Sequence, residues 1–136
     1  MSYYFATELE AGMDEAIARV TEALAERGFG VLTRIDVDKT LKKKIGADFR
    51  PYVILGACNP HFAHQALTAE DKIGTMLPCN VIVQEIAPGR VEVAAVDPIA
   101  SMAAIDNPDL ATIATKVRDL LKETIASLAP VAAPAG

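Results

Sequence analysis

Three times in this chain an Asn or Asp is followed at once by proline: Asn59-Pro60, Asp97-Pro98 and Asn107-Pro108. The short polar side chain can accept a hydrogen bond from the open first turn of a helix. Proline suits the first helical position, where its ring presets φ and the missing N–H is not needed. Each pair therefore reads as a helix start. The first two follow apolar runs, Tyr52–Cys58 and Val91–Val96, which read as strands. Tyr52–Cys58 is apolar on both faces, as an inner strand would be, and Pro51 sits at its beginning, where no ladder donor is required. The third pair opens a helix whose apolar side carries Leu110, Ile113, Val117, Leu120, Leu121, Ile125 and Leu128.

The remaining segments fit between these junctions. Tyr3, Tyr4 and Phe5 open a first strand over residues 3–9. Asp14 and Glu15 suit the positive end of a helix whose stripe is Met13, Ile17, Val20 and Leu24, and Gly28 supplies the left-handed residue after it. From Phe29 to Val37 every second residue is Phe, Val, Thr, Ile or Val, the period of a half-buried strand, broken only by Leu32. Asp38 is expected to cap a short helix carrying Leu41 and Ile45, stopped by Gly46. Phe62, Ala63, Ala66 and Leu67 make the buried side of the helix after Pro60, and Thr68 to Gly74 reads as one or two capped turns. Val81, Ile82, Val83 and Ile86 form a strand, and Pro88-Gly89 turns it back into its partner.

The order is βαβαβαββα. It predicts an α+β fold with a mixed or antiparallel sheet of about five strands and helices mainly on one face. Residues 1–128 are expected to form one domain, with 129–136, small residues and two prolines without a charge, as a flexible tail.

Composition excludes several functions. The 13 basic and 18 acidic side chains give a net charge of −5, the wrong sign for phosphate neutralisation, and no nucleic-acid partner is expected. The basic run Lys42-Lys43-Lys44 reads as a solvated helix face. No apolar stretch approaches the ~20 residues of a membrane span, and the first residues lack the pattern of a signal peptide. A cytoplasmic location is expected, where two cysteines read better as thiols than as a disulfide. No Ser stands in a Gly-x-Ser-x-Gly elbow, and Gly28-Phe29-Gly30 leaves a helix for a strand, the reverse of a dinucleotide loop.

What remains chemically suggestive is a matched pair of segments, Cys58-Asn59-Pro60 and Pro78-Cys79-Asn80. Cys58 ends a strand before a helix N-terminus, where a thiolate is stabilised. If the strands ending at Cys58 and starting at Cys79 are antiparallel neighbours, the thiols meet despite their separation in sequence. Both can equally be small buried hydrophobes. His61 and His64 share a helix face. With Cys58 and Cys79 they would make four ligands for zinc or copper, although the spacing matches no familiar zinc pattern and exposed surface histidines explain them as well.

The runs Val31–Val37, Ile54-Leu55-Gly56-Ala57-Cys58-Asn59-Pro60 and Gly74-Thr75-Met76-Leu77-Pro78-Cys79-Asn80-Val81 resemble the bacterial and archaeal family called domain of unknown function 302, over about Tyr4 to Leu128. The Asp97-Pro98 segment matches its layout. The resemblance implies a small α+β domain, often homodimeric, with no established reaction. It adds weight to Cys58, Asn59, Pro60, Pro78, Cys79 and Asn80 as one local structure, and does not extend to His61.

Three functions follow as expectations. The favoured one is a homodimeric module binding a small molecule beside Cys58 and Cys79, with Asn59 and Asn80 as polar contacts. The apolar surface of its alanine-rich last helix and two-faced strands fits a dimer, and a well-covered sheet explains it equally. The second is a thiol-dependent redox or soft-metal protein using Cys58 and Cys79. The third is a structural dimer whose cysteines only pack. Neither a cofactor nor a catalytic residue is legible, and whether the chain is an enzyme is left open.

Overall fold

Each of the three Asx-Pro pairs opens a helix. The computed structural model describes residues 2–128. The elements are β1 (Tyr4–Glu10), α1 (Met13–Ala25), β2 (Gly30–Asp36), α2 (Val37–Ile45), β3 (Tyr52–Cys58), α3 (Pro60–Ala69), a 3-10 segment (Asp71–Met76), β4 (Cys79–Ala87), β5 (Arg90–Val96), the one-turn α4 (Pro98–Ser101) and α5 (Pro108–Leu128). The tail expected over 129–136 lies outside the described residues. Asn59 Oδ1 accepts from Phe62 N at 3.4 Å, and Asp97 Oδ1 accepts from Ile99 N at 2.9 Å. Asn107 Oδ1 accepts from Asp109 N and Leu110 N at 3.1 and 3.3 Å. Its amide also donates to Ala69 O at 2.9 Å and Glu70 Oε1 at 3.3 Å, tying the start of α5 to the end of α3.

The five strands form one sheet in the order β1-β5-β4-β3-β2, and every neighbouring pair is antiparallel. Of the two expectations, mixed or antiparallel, the second holds. Helices α1 and α5 pack on one face. That face carries cross-strand rows such as Val53, Val83 and Val93, and Leu55, Val81 and Ala95. These residues pack against Val20, Leu24, Leu121 and Ile125 of the helices. Burying such side chains contributes about 1.5–3 kcal/mol each.

Strand β2 departs from its period-two pattern. A bulge at Leu32 places Val31 opposite Ala57, but Thr33 opposite Gly56 and Ile35 opposite Ile54. One extra residue reverses the side on which every later side chain emerges. Val31 therefore faces the helices, while Thr33 and Ile35 face away, and Ile35 is 48% exposed. Asp38 does not cap α2. The capping position is Asp36, and the Asp38 carboxylate instead accepts from Tyr52 N at 3.3 Å, anchoring the start of β3. Ile45 is exposed rather than buried, and the three lysines of the basic run are exposed in the last turn of α2.

Beyond the main core lies a smaller apolar cluster of Ala66, Ile73 and Leu110, with Leu77, Met102, Ile105 and Ile113 packed against it. It joins α3, the 3-10 segment, the turn after α4 and the start of α5. Helix α5 thus serves both clusters, Leu110 in the smaller and Val117 to Leu128 in the larger.

Candidate functional site

Strand pairing brings the two cysteine segments together. Ala57 stands directly opposite Cys79, and Gly56 opposite Asn80, so Cys58 lies one residue beyond the Cys79 partner. Consecutive strand residues emerge on opposite faces. Register alone therefore does not oppose the two thiols; Cys58, the last residue of its strand, shares a cavity wall with Cys79, and both are free. Cys58 is half-buried at the end of β3, immediately before the Asn59 cap. Cys79 is buried among the core residues, and this burial, reinforced by the nearby Cys58, pushes its thiol up from 9.0 to about 11. At neutral pH Cys79 is a protonated, inert thiol.

A cavity of ≈ 270 Å³ opens beside these residues. It lies at the seam of the two apolar clusters: Phe29, Ala57, Cys79 and Val117 come from the larger, Ala66, Leu77, Met102 and Leu110 from the smaller side. Cys58, Asn59 and Phe62 complete the wall at the start of α3. Among the described residues no Asp, Glu, Lys, Arg or His lines it. The corner is tightly built. Gly28, at φ +85°, brings its backbone against Asn59, and a Cβ there would lie 3.0 Å from Asn59 Nδ2. A Cβ on Gly56 would collide with Thr33 Oγ1 and lie 2.7 Å from Pro78 Cγ.

The candidate residues divide. Cys58, Asn59 and Cys79 border the cavity. Asn80 does not: it is exposed and faces away with Gly56, because strand alternation turns it from the side that Cys79 occupies. The four-ligand metal set is not assembled. His61 and His64 are exposed on α3, and among the described residues no three His, Cys, Asp or Glu side chains are grouped to hold a metal ion. Leu67, expected on the buried side of α3, is 44% exposed and borders the cavity, as does Leu32, 67% exposed. Phe29, Leu77, Met102 and Ile113 had no signal marking them as site residues, since each looks like ordinary core in its own segment. Leu32 carried one, as the residue that broke its strand's alternation.

The model of the family described as domain of unknown function DUF302 matches residues 5–128, and the chain belongs to that family. A crystal structure of an uncharacterized conserved DUF302 protein from Bacillus stearothermophilus is similar, with 30% sequence identity and a TM-score of 0.86, over 94% of this chain and 99% of that one. No curated protein matches the chain. No helix among the described residues is long and apolar enough to cross a membrane.

Proposed function

We propose that this DUF302 chain is a homodimeric module that binds a small, uncharged, largely apolar molecule in the cavity beside Cys58. The observation that carries the reading is the cavity wall. A space of ≈ 270 Å³ without a charged side chain is close to the lower end of typical ligand pockets, about 300–1,000 Å³. A charged ligand would leave water and gain no partner there, at a cost of several kcal/mol. Asn59 is the polar group on the wall that can orient a ligand, because its Oδ1 is committed to the Phe62 amide while its N–H groups can donate.

The open face of the sheet supports the dimer. Register aligns Ile35, Ile54, Ile82, Ala94 and Ala6 in one row across all five strands, on the side away from α1 and α5. An antiparallel sheet with one solvated face ordinarily places polar residues there. An apolar row of this kind suits a self-complementary two-fold contact.

The binding reading is tested with N-phenyl-1-naphthylamine, a neutral dye that brightens in apolar surroundings. Saturable binding of one dye per chain is expected, and Ala63→Phe, which fills the cavity from α3, abolishes it while the thermal unfolding midpoint is retained. Equal binding by the filled variant overturns the reading. Cys58→Ala separates it from a thiol-dependent role, because dye binding survives the loss of the thiol if the cavity alone is responsible.

A further inference from the structure

A second cavity of ≈ 190 Å³ shares Met102, Leu110 and Ala114 with the first. Its lining also includes Ile99, Ile105 and Ala111, and among the described residues no charged side chain borders it. The two spaces thus meet at three shared side chains. Leu110 and Ala114 are buried on α5 and fixed by the helix. Met102 is half-buried in the turn after α4. Methionine is unbranched, with three rotatable bonds, and readily changes shape to fill or vacate a gap.

We infer that the two cavities are lobes of one bent apolar site, joined past Met102, and that the ligand is an unbranched aliphatic chain with a single uncharged polar end at Asn59. This rests on the binding reading above and narrows it to a ligand class. A compact ring system fits one lobe only, whereas a flexible chain follows both. Among the described residues neither wall carries a charge, which disfavours a nucleotide, an amino acid or a phosphorylated sugar as the buried group.

The series from 1-hexanol to 1-dodecanol, measured by displacement of N-phenyl-1-naphthylamine, tests the inference. In the native protein affinity rises roughly three- to fourfold with each added methylene, and the rise continues beyond the chain length that the first lobe holds. Ala111→Phe fills the second lobe from an exposed position on α5. In that variant the rise stops at a shorter chain, while 1-hexanol binds as it does to the native protein. Ala103→Phe, from the opposite wall, gives the same result if the lobe itself is responsible. An identical plateau in native protein and both variants overturns the two-lobed site and leaves the single-cavity reading standing. Failure of the dye and every alcohol to bind overturns both.

Discussion

Thr33 Oγ1 occupies the space into which a Cβ on Gly56 would have to project, across the β2–β3 pair. Pro78 closes the same space from the other side, with its Cγ 2.7 Å from that position. Gly56→Ala is therefore expected to destabilise the protein by about 1–3 kcal/mol through overpacking. Thr33→Ala in the same chain recovers part of the loss, and urea denaturation of the two single variants and the double variant measures the coupling. Independent, additive effects would show that the contact is not the cause.

Asn107 has more partners than the other two caps, since it also spans from α5 to the end of α3. Asn107→Ala loses the cap, about 1 kcal/mol, and leaves Ala69 O without that donor, about as much again. Asp97→Ala, with one cap bond to Ile99 N, costs less. Chemical denaturation of the pair gives the order directly, and a larger loss at Asp97 would contradict it.

The buried Cys79 thiol sets a pH dependence with a definite sign. An unfolded chain releases that proton near pH 9.0, whereas the native chain keeps it to about 11. Over that interval the unfolded state binds fewer protons, so stability falls as pH rises from about 9 to 11 and is fully retained below. The loss is on the order of 2–3 kcal/mol. Cys79→Ala flattens this part of the stability profile. A native profile already flat between pH 9 and 11 would mean that the thiol ionises freely in the fold.

Ile82 is central in the apolar row on the open sheet face, directly between Ile54 and Ala94. If that face joins two chains, Ile82→Arg desolvates a charge on each side of the two-fold contact and gives a monomer. Sedimentation velocity distinguishes the species. A native protein that sediments as a monomer at micromolar concentration, or an unchanged dimer in the variant, eliminates this face as the contact.

What could be read from the chain was mostly what short stretches decide among themselves. Asn59, Asp97 and Asn107 cap helices because a polar side chain, a proline and an apolar stripe act over a few neighbouring residues. The meeting of the two cysteine segments depends on β3 and β4 being antiparallel neighbours, and the register makes them so. The break of alternation at Leu32 was visible, but not that it is a bulge, because an inserted residue changes which partner each later residue meets without changing composition. Asp38 departs from the expected cap for a related reason: its carboxylate finds Tyr52 N, fourteen residues on, rather than its own helix. A cleft beside Cys58 was within reach of the sequence, but most of its wall was not. Its wall is assembled from Phe29, Phe62, Leu77 and Met102, which meet only after the chain has closed, and Asn80 left the site through a single step of strand alternation.

The seam between the two apolar clusters also divides the molecule in time. Amides of β3, β4 and β5 are locked in a ladder backed by the larger cluster, so their hydrogens exchange with solvent only when the whole fold opens. Those of α3 and the 3-10 segment are held by a cluster of three buried residues and exchange through smaller, more frequent openings. A guest seated in the seam would bridge both regions, and its clearest trace would be slower exchange in α3 and the 3-10 segment with the sheet unchanged.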